Sequence, residues 1–148
     1  MEAKLVEGKR VSLAKPGLQT PFHIDFNWWA KNDRDWRVYL RSNLCREHQI
    51  AFEQVDIEDK IDWVDPETAE VQRVDGLQNI LITHCAKQPG FITEYSTLVD
   101  ASFRLFLANG NTPMSVMELG ERLGRPAETI LRTLTGGRVY KGMRPCLE

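Results

Sequence analysis

The segment Met114-Ser-Val-Met-Glu-Leu-Gly-Glu-Arg-Leu-Gly-Arg-Pro-Ala-Glu-Thr-Ile-Leu-Arg-Thr-Leu134 decides how this chain is read. Its spacing predicts two short helices joined by a tight turn. Ser115 and Glu118 fit a capping box, in which the hydroxyl accepts from the backbone N–H three residues on and the carboxylate reaches back to the first N–H. Val116, Leu119 and Leu123 then share one face of the first helix. Gly120 lets the second helix approach closely. Gly124 stands where the first helix must stop, because glycine adopts positive φ without a Cβ penalty. Pro126 suits the first turn of the second helix, where its missing N–H has no partner to lose. Ile130, Leu131 and Leu134 give that helix an apolar side.

Downstream, Gly136-Gly137 breaks the helix. Arg138, Val139, Tyr140 and Lys141 alternate charged and apolar residues, as a short half-buried strand does. Gly142 permits a tight turn before Arg144 and Pro145. The Gly120, Gly124 and Ile130 spacing resembles the helix-turn-helix family, in which a small residue, a turn glycine and a buried aliphatic recur at these offsets. With the strand and turn behind it, the last third of the chain resembles the winged helix-turn-helix family. One departure is Gly120 in place of the usual alanine, which weakens the first helix by up to about 1 kcal/mol. The resemblance implies that Arg125, Thr129 and Arg132 face double-stranded DNA, with Arg138, Lys141 and Arg144 on a wing beside the phosphate backbone. Winged helices also serve as protein-binding modules, and a fold does not dictate a function. Glu128, on the second helix, carries the wrong sign for phosphate.

The outer bounds agree with a globular chain. With 148 residues, 42% of them hydrophobic and 27% charged, it has room for one ordinary domain. No apolar run is long enough to cross a bilayer. The first ten residues lack a signal-peptide core, so the expected location is cytoplasmic, with no membrane partner. The net charge of −2 excludes a uniformly basic coat for nucleic acid. Its distribution is more informative. Residues 61–100 hold Asp62, Asp65, Glu67, Glu70, Asp75, Glu94 and Asp100 against Arg73 and Lys87. Beyond residue 100, Arg104, Arg122, Arg125, Arg132, Arg138, Lys141 and Arg144 face Glu118, Glu121, Glu128 and Glu148. A basic end on an acidic body suits an oriented contact with phosphate or an acidic partner.

Upstream, residues 4–13 read as a strand through Leu5, Val11 and Leu13, and residues 22–26 as a second one. Residues 32–45 switch to helical spacing, with Trp36, Tyr39, Leu40 and Leu44 on one face and Arg34, Arg37 and Arg41 on another. Residues 61–74 form a β-hairpin around Asp65-Pro66. Asp75 then caps a helix through Leu77, Ile80, Leu81 and His84. A further helix over residues 97–109 is apolar nearly all round, as a central buried helix is, with Gly110 closing it.

Three constellations carry residues capable of chemistry. Cys45, His48, His84 and Cys85 can make a four-ligand zinc set, but adjacent residues on a helix point about 100° apart. His84 also lies on an apolar face, where a hydrogen-bonded core histidine is commoner. The expectation is therefore no metal, no cofactor, and free thiols at Cys45, Cys85 and Cys146. The acidic run over residues 56–65 lacks the spacing of a calcium loop. Asp25, beside Trp28 and Trp29, can act as a general acid if its surroundings are apolar. No nucleophile is tied to it by spacing, and no phosphate-binding glycine loop is present.

Two adjacent tryptophans cannot both point inward from a regular element. One of Trp28 and Trp29 is thus expected to be partly exposed and, with Arg34 and Arg37, to anchor a protein partner or a second copy. The arginine face can also contact single-stranded nucleic acid, or be solvated and paired with Asp33 and Asp35.

The sequence thus predicts an α+β protein. A small antiparallel sheet and helices over residues 1–92 precede a winged helix-turn-helix module over residues 93–148, the two packed as one unit. The expected function is non-enzymatic DNA binding in transcription regulation. The alternatives are a protein-binding adaptor subunit and, more weakly, a small enzyme centred on His23 and Asp25.

Overall fold

Residues 15–51 and 60–146 are described by a computed structural model. The strand read at residues 4–13 and residues 56–59 of the acidic run lie outside them. The middle of the sheet is a four-residue strand, β1 (Pro21–Ile24), whose Phe22 and Ile24 are fully buried. It runs antiparallel to β4 (Met114–Ser115) on one side and to β5 (Met143–Pro145) on the other. Phe22 faces both Met114 and Pro145 across the ladder, and Ile24 faces Met143. Beyond the end of β4, the Asn111 side chain continues the pairing. Its Oδ1 accepts from the Ile24 N–H at 2.8 Å and its Nδ2 donates to the Ile24 carbonyl at 2.9 Å. A side-chain amide has the same donor–acceptor pair as a peptide unit, so it satisfies both backbone groups at once.

Phe26 does not extend the strand. Asp25 turns the chain into α1 (Phe26–Asn32), its carboxylate accepting from the Trp28 N–H at 3.0 Å. The continuous helix expected over residues 32–45 is broken. After α1 come α2 (Trp36–Arg41) and α3 (Arg46–Ala51). The break follows from Asp33, whose carboxylate accepts from the Asp35 N–H and from the Trp29 indole N–H. Aspartate offers the backbone a local alternative to the helical ladder, and here it takes that role.

The hairpin forms as read, from β2 (Lys60–Val64) and β3 (Val71–Asp75). Asp65 Oδ1 accepts from the Glu67 N–H at 2.8 Å in its turn. Asp75 caps α4 (Gly76–Thr83) through the Gln78 N–H. That helix ends one residue before His84, and Cys85–Lys87 is a short 3-10 turn. Thr97 caps α5 (Leu98–Ala108), which buries Ala101, Phe103, Phe106 and Leu107.

The deciding segment gives α6 (Val116–Leu123) and α7 (Ala127–Leu134). Both halves of the capping box are made, and Gly124 lies in the left-handed region at φ +67°. Pro126 caps α7 from outside rather than sitting in its first turn. The expected wing differs. Residues 138–140 pair with nothing as a strand, and Lys141–Gly142 is a turn into β5. β5 pairs with β1 instead and stands at the edge of the sheet, its outer side carrying no strand among the described residues. Among the described residues the class is α+β, with seven helices and small antiparallel sheets.

One core joins these parts. Trp29 sits at its aromatic centre, with ring centroids 5.4 Å from Phe103, 5.6 Å from Trp36 and 6.0 Å from Tyr39. Leu119, Ile130 and Leu134 bind α6 and α7 to the same core.

The packing of α6 on α7 has one tight point. A Cβ built on Gly120 meets the Arg125 carbonyl oxygen at 2.6 Å and the Ala127 nitrogen at 3.2 Å, both backbone atoms that cannot swing aside. Gly120→Ala is therefore expected to lower unfolding free energy in urea by about 1–3 kcal/mol through overpacking. This outweighs the roughly 1 kcal/mol that alanine adds in helix propensity. Equal or higher stability in the variant contradicts this contact.

Candidate nucleic-acid interface

The α6–α7 pair carries its apolar residues inward, which leaves polar side chains on the outside of both helices. Arg132 and Glu128 are exposed on α7, with Thr129 half-buried between them. Arg122, in the last turn of α6, is exposed too, and Arg138 is exposed just beyond α7. None of these three arginines is in an ion pair within the described residues; Arg138 lies over its neighbour Tyr140 at 5.0 Å. Arg125, in the turn, is half-buried and reaches the Ser96 carbonyl at 3.5 Å. Arg122 was missed from sequence because the resemblance placed contacts only on the second helix and the wing. Its position in the last turn of α6 was the available signal.

The other two residues assigned to a wing do not project from one. Lys141 Nζ lies 4.1 Å above the Tyr39 ring. Arg144 donates to Asp25 Oδ2 at 3.0 Å and covers the Trp28 ring at 5.0 Å. Both cations are turned toward the body, because β5 is held against β1 and α1 rather than extended as a hairpin. Arg104 is likewise internal, donating to Asn43 Oδ1 and the Phe91 carbonyl. The basic C-terminal end read from sequence is thus partly a set of internal ties.

Asp25 is a helix cap and the partner of Arg144. His23 lies on β1, opposite Arg144 in the ladder. Trp29 is 1% exposed, whereas Trp28 is half-buried under Arg144. Arg37 is bound to Asp75 and stacks on Trp36 at 4.7 Å, and Arg34 is exposed. The Arg37–Asp75 pair ties α2 to the cap of α4. Tyr39 donates its hydroxyl to Asp100, and burial together with that carboxylate holds the phenol above its ordinary ionisation range.

A separate group of side chains gathers on the other side of α4. Ligand-capable atoms of Cys45, Glu47, His48 and His84 all lie within 4.8 Å of one another. Cys85 joins them, its thiol donating to Cys45 Sγ at 3.5 Å. Burial pushes the Cys85 thiol up to about 11, so it is protonated at neutral pH when nothing but protein surrounds it. His84 is not the buried core histidine expected from sequence: its side chain is 38% exposed, 3.8 Å from Glu47.

Comparison of the chain with protein-family models, curated proteins and solved structures finds no match to any of them.

The dual role of Asp25 is open to measurement. Asp25→Ala removes both the α1 cap and the Arg144 pair, and is expected to cost about 1–2 kcal/mol from the cap. Asp25→Asn keeps a capping oxygen and is expected to cost less. A double-mutant cycle with Arg144→Ala should give a coupling of roughly 0.5–1 kcal/mol. Equal losses for Ala and Asn rule out a capping contribution.

Proposed function

We propose that the chain is a non-enzymatic DNA-binding protein that grips duplex DNA with the α6–α7 unit. The observation that carries this reading is the pair of helices itself. A short helix stops at a left-handed glycine, and a second helix starts three residues later and buries only its apolar side. Such a pair can present its second helix to the major groove while the first crosses the backbone. The cations available for phosphate are Arg122, Arg132 and Arg138, which are exposed and not ion-paired within the described residues. On this reading Thr129, in the first turn of α7, would face base edges, with Arg125 in the turn before it. Lys141 and Arg144 drop out of the contact set, because they hold β5 and Tyr39 against the body.

The shallow groove of about 630 Å³ between Pro21, α6 and the turn is lined by Glu118 and Glu121 as well as Arg125. Its carboxylates repel phosphate, so the DNA face is the α7 side rather than this groove. A role in transcription regulation belongs to the same proposal, because a duplex-reading unit acts on genes by occupying sites, and a cytoplasmic location is proposed with it. No helix among the described residues is long and apolar enough to cross a membrane.

The reading is checked by fluorescence anisotropy on duplex DNA across a salt series. Three phosphate contacts predict that log affinity falls against log salt with a slope of about −3. Arg132→Glu and Arg138→Glu should each weaken binding to all sequences, and each neutral Arg→Gln variant should shallow the slope by about 1. Lys141→Gln should leave the slope unchanged. No binding by micromolar protein at low salt, or a slope that responds to Lys141 but not to Arg132, refutes the reading.

A further inference from the structure

The group at the end of α4 has the composition of a metal-binding tetrahedron, and three of its six edges are near the lengths such a site needs. Cys45 Sγ is 3.5 Å from Cys85 Sγ and 3.2 Å from His48 Nδ1, and Cys85 Sγ is 3.6 Å from His48 Nδ1. With zinc–sulfur bonds of about 2.3 Å and zinc–nitrogen bonds of about 2.0–2.1 Å, tetrahedral geometry requires S···S near 3.8 Å and S···N near 3.6 Å. The three observed edges fall short of these by a few tenths of an ångström at most, so a small outward shift admits the ion. Two thiols and an imidazole converging at this spacing leave one corner to fill. His84 is beside it, its ring packed edge-on against His48 with centroids 4.4 Å apart.

The sequence objection to this set was that His84 and Cys85 are neighbours and would diverge on a helix. The helix ends at Thr83. His84 has φ −127° and ψ −63°, outside the helical region, and Cys85 starts a separate 3-10 turn. The break removes the fixed 100° step between the two side chains, and Cys85 turns to the Cys45 side while His84 stays near His48. Gln88, which precedes Pro89, is extended at ψ 145°, as a residue before proline prefers, and this confines the departure to a single short turn. Glu47 Oε1 lies 3.8 Å from His84 Nε2, the place of a carboxylate that orients a ligating histidine through its other nitrogen.

We propose that Cys45, His48, His84 and Cys85 bind one structural zinc ion, with Glu47 holding the His84 ring. His84 ligates through Nδ1 while its Nε2–H faces Glu47. Binding converts two thiols to thiolates and releases two protons to solvent; the imidazoles bind neutral, and no oxidant or reductant is needed. Four protein ligands close the coordination sphere, so the ion has a structural role. It ties the start of α3 to the end of α4, with Cys45 and Cys85 separated by 40 residues. The site is independent of the DNA-binding face, and the two proposals stand or fall separately.

The full chain, purified without chelator under reducing conditions, should contain about one zinc per chain by elemental analysis. After chelation, Co²⁺ added to the reduced protein should give tetrahedral d–d bands and thiolate-to-cobalt charge transfer. Cys45→Ser should abolish the charge-transfer intensity of one thiolate, and Cys146→Ser should leave the spectrum intact. Where Cys85→Ser fails to fold because its sulfur is buried, the wild-type spectrum still decides. His84→Ala should weaken zinc affinity by more than the roughly 10–100-fold expected for Glu47→Gln as an outer partner. A larger loss for Glu47→Gln than for His84→Ala overturns the assignment of His84. Protein that lacks zinc and, once reduced, gives no cobalt charge transfer overturns the site. So does a Cys45–Cys85 disulfide, seen by intact mass as a loss of two hydrogens that persists in purified protein and excludes metal.

Discussion

The structure depends on a short strand that must be satisfied on both sides. Phe22 and Ile24 of β1 are buried, so their backbone N–H and C=O groups need partners, and an unpaired one costs about 1–3 kcal/mol. β4 and β5 supply those partners from the far end of the chain, and where β4 stops the Asn111 amide takes over for Ile24. The α6–α7 unit is consequently not a detachable tail. Its sheet has a centre that belongs to the other half of the molecule, and Phe22 and Ile24 place that centre in the common core.

Local chemistry was well legible in the sequence. The capping residues Asp75 and Ser115, and Gly124 past the end of a helix, each act through groups three or four residues away, and each forms as read. What the sequence concealed is the pairing of distant segments. Alternation at residues 138–141 looks like a strand because charged and apolar residues alternate. Alternation does not by itself supply a partner: β5 pairs with the distant β1, and its outer edge carries no strand among the described residues. The broken helix over residues 32–45 was a different failure. Its apolar spacing is helical, and Leu40 and Leu44 are buried as a helical face would require. Asp33 interrupts it because its side chain competes for a backbone N–H, that of Asp35.

The candidate site was legible as a list of cations and illegible as a direction. Arg132, Arg138, Lys141 and Arg144 carry the same charge and fall within a short stretch, yet two face outward and two are spent on Tyr39, Trp28 and Asp25. Aromatic rings and a carboxylate within reach decide this, and they come from α1 and α2. The Cys45, His48, His84 and Cys85 group shows the converse. All four residues were visible, and the argument against them assumed a helix that ends one residue too soon for it to hold. A single backbone torsion at His84 changed the meaning of the motif.

The placement of β1 also bears on how the chain is made. A ribosome delivers residues in order, and the Asp25–Arg144 pair joins groups 119 positions apart. β1 therefore leaves the tunnel long before either strand that flanks it exists. In that interval its two hydrogen-bonding edges and the buried faces of Phe22 and Ile24 are open to solvent and to neighbouring nascent chains. Non-local pairing of this kind slows folding and lengthens the period in which intermolecular strand addition competes with the native partner. A strand of four residues limits that exposure, since a short edge offers little ladder for a stranger to extend.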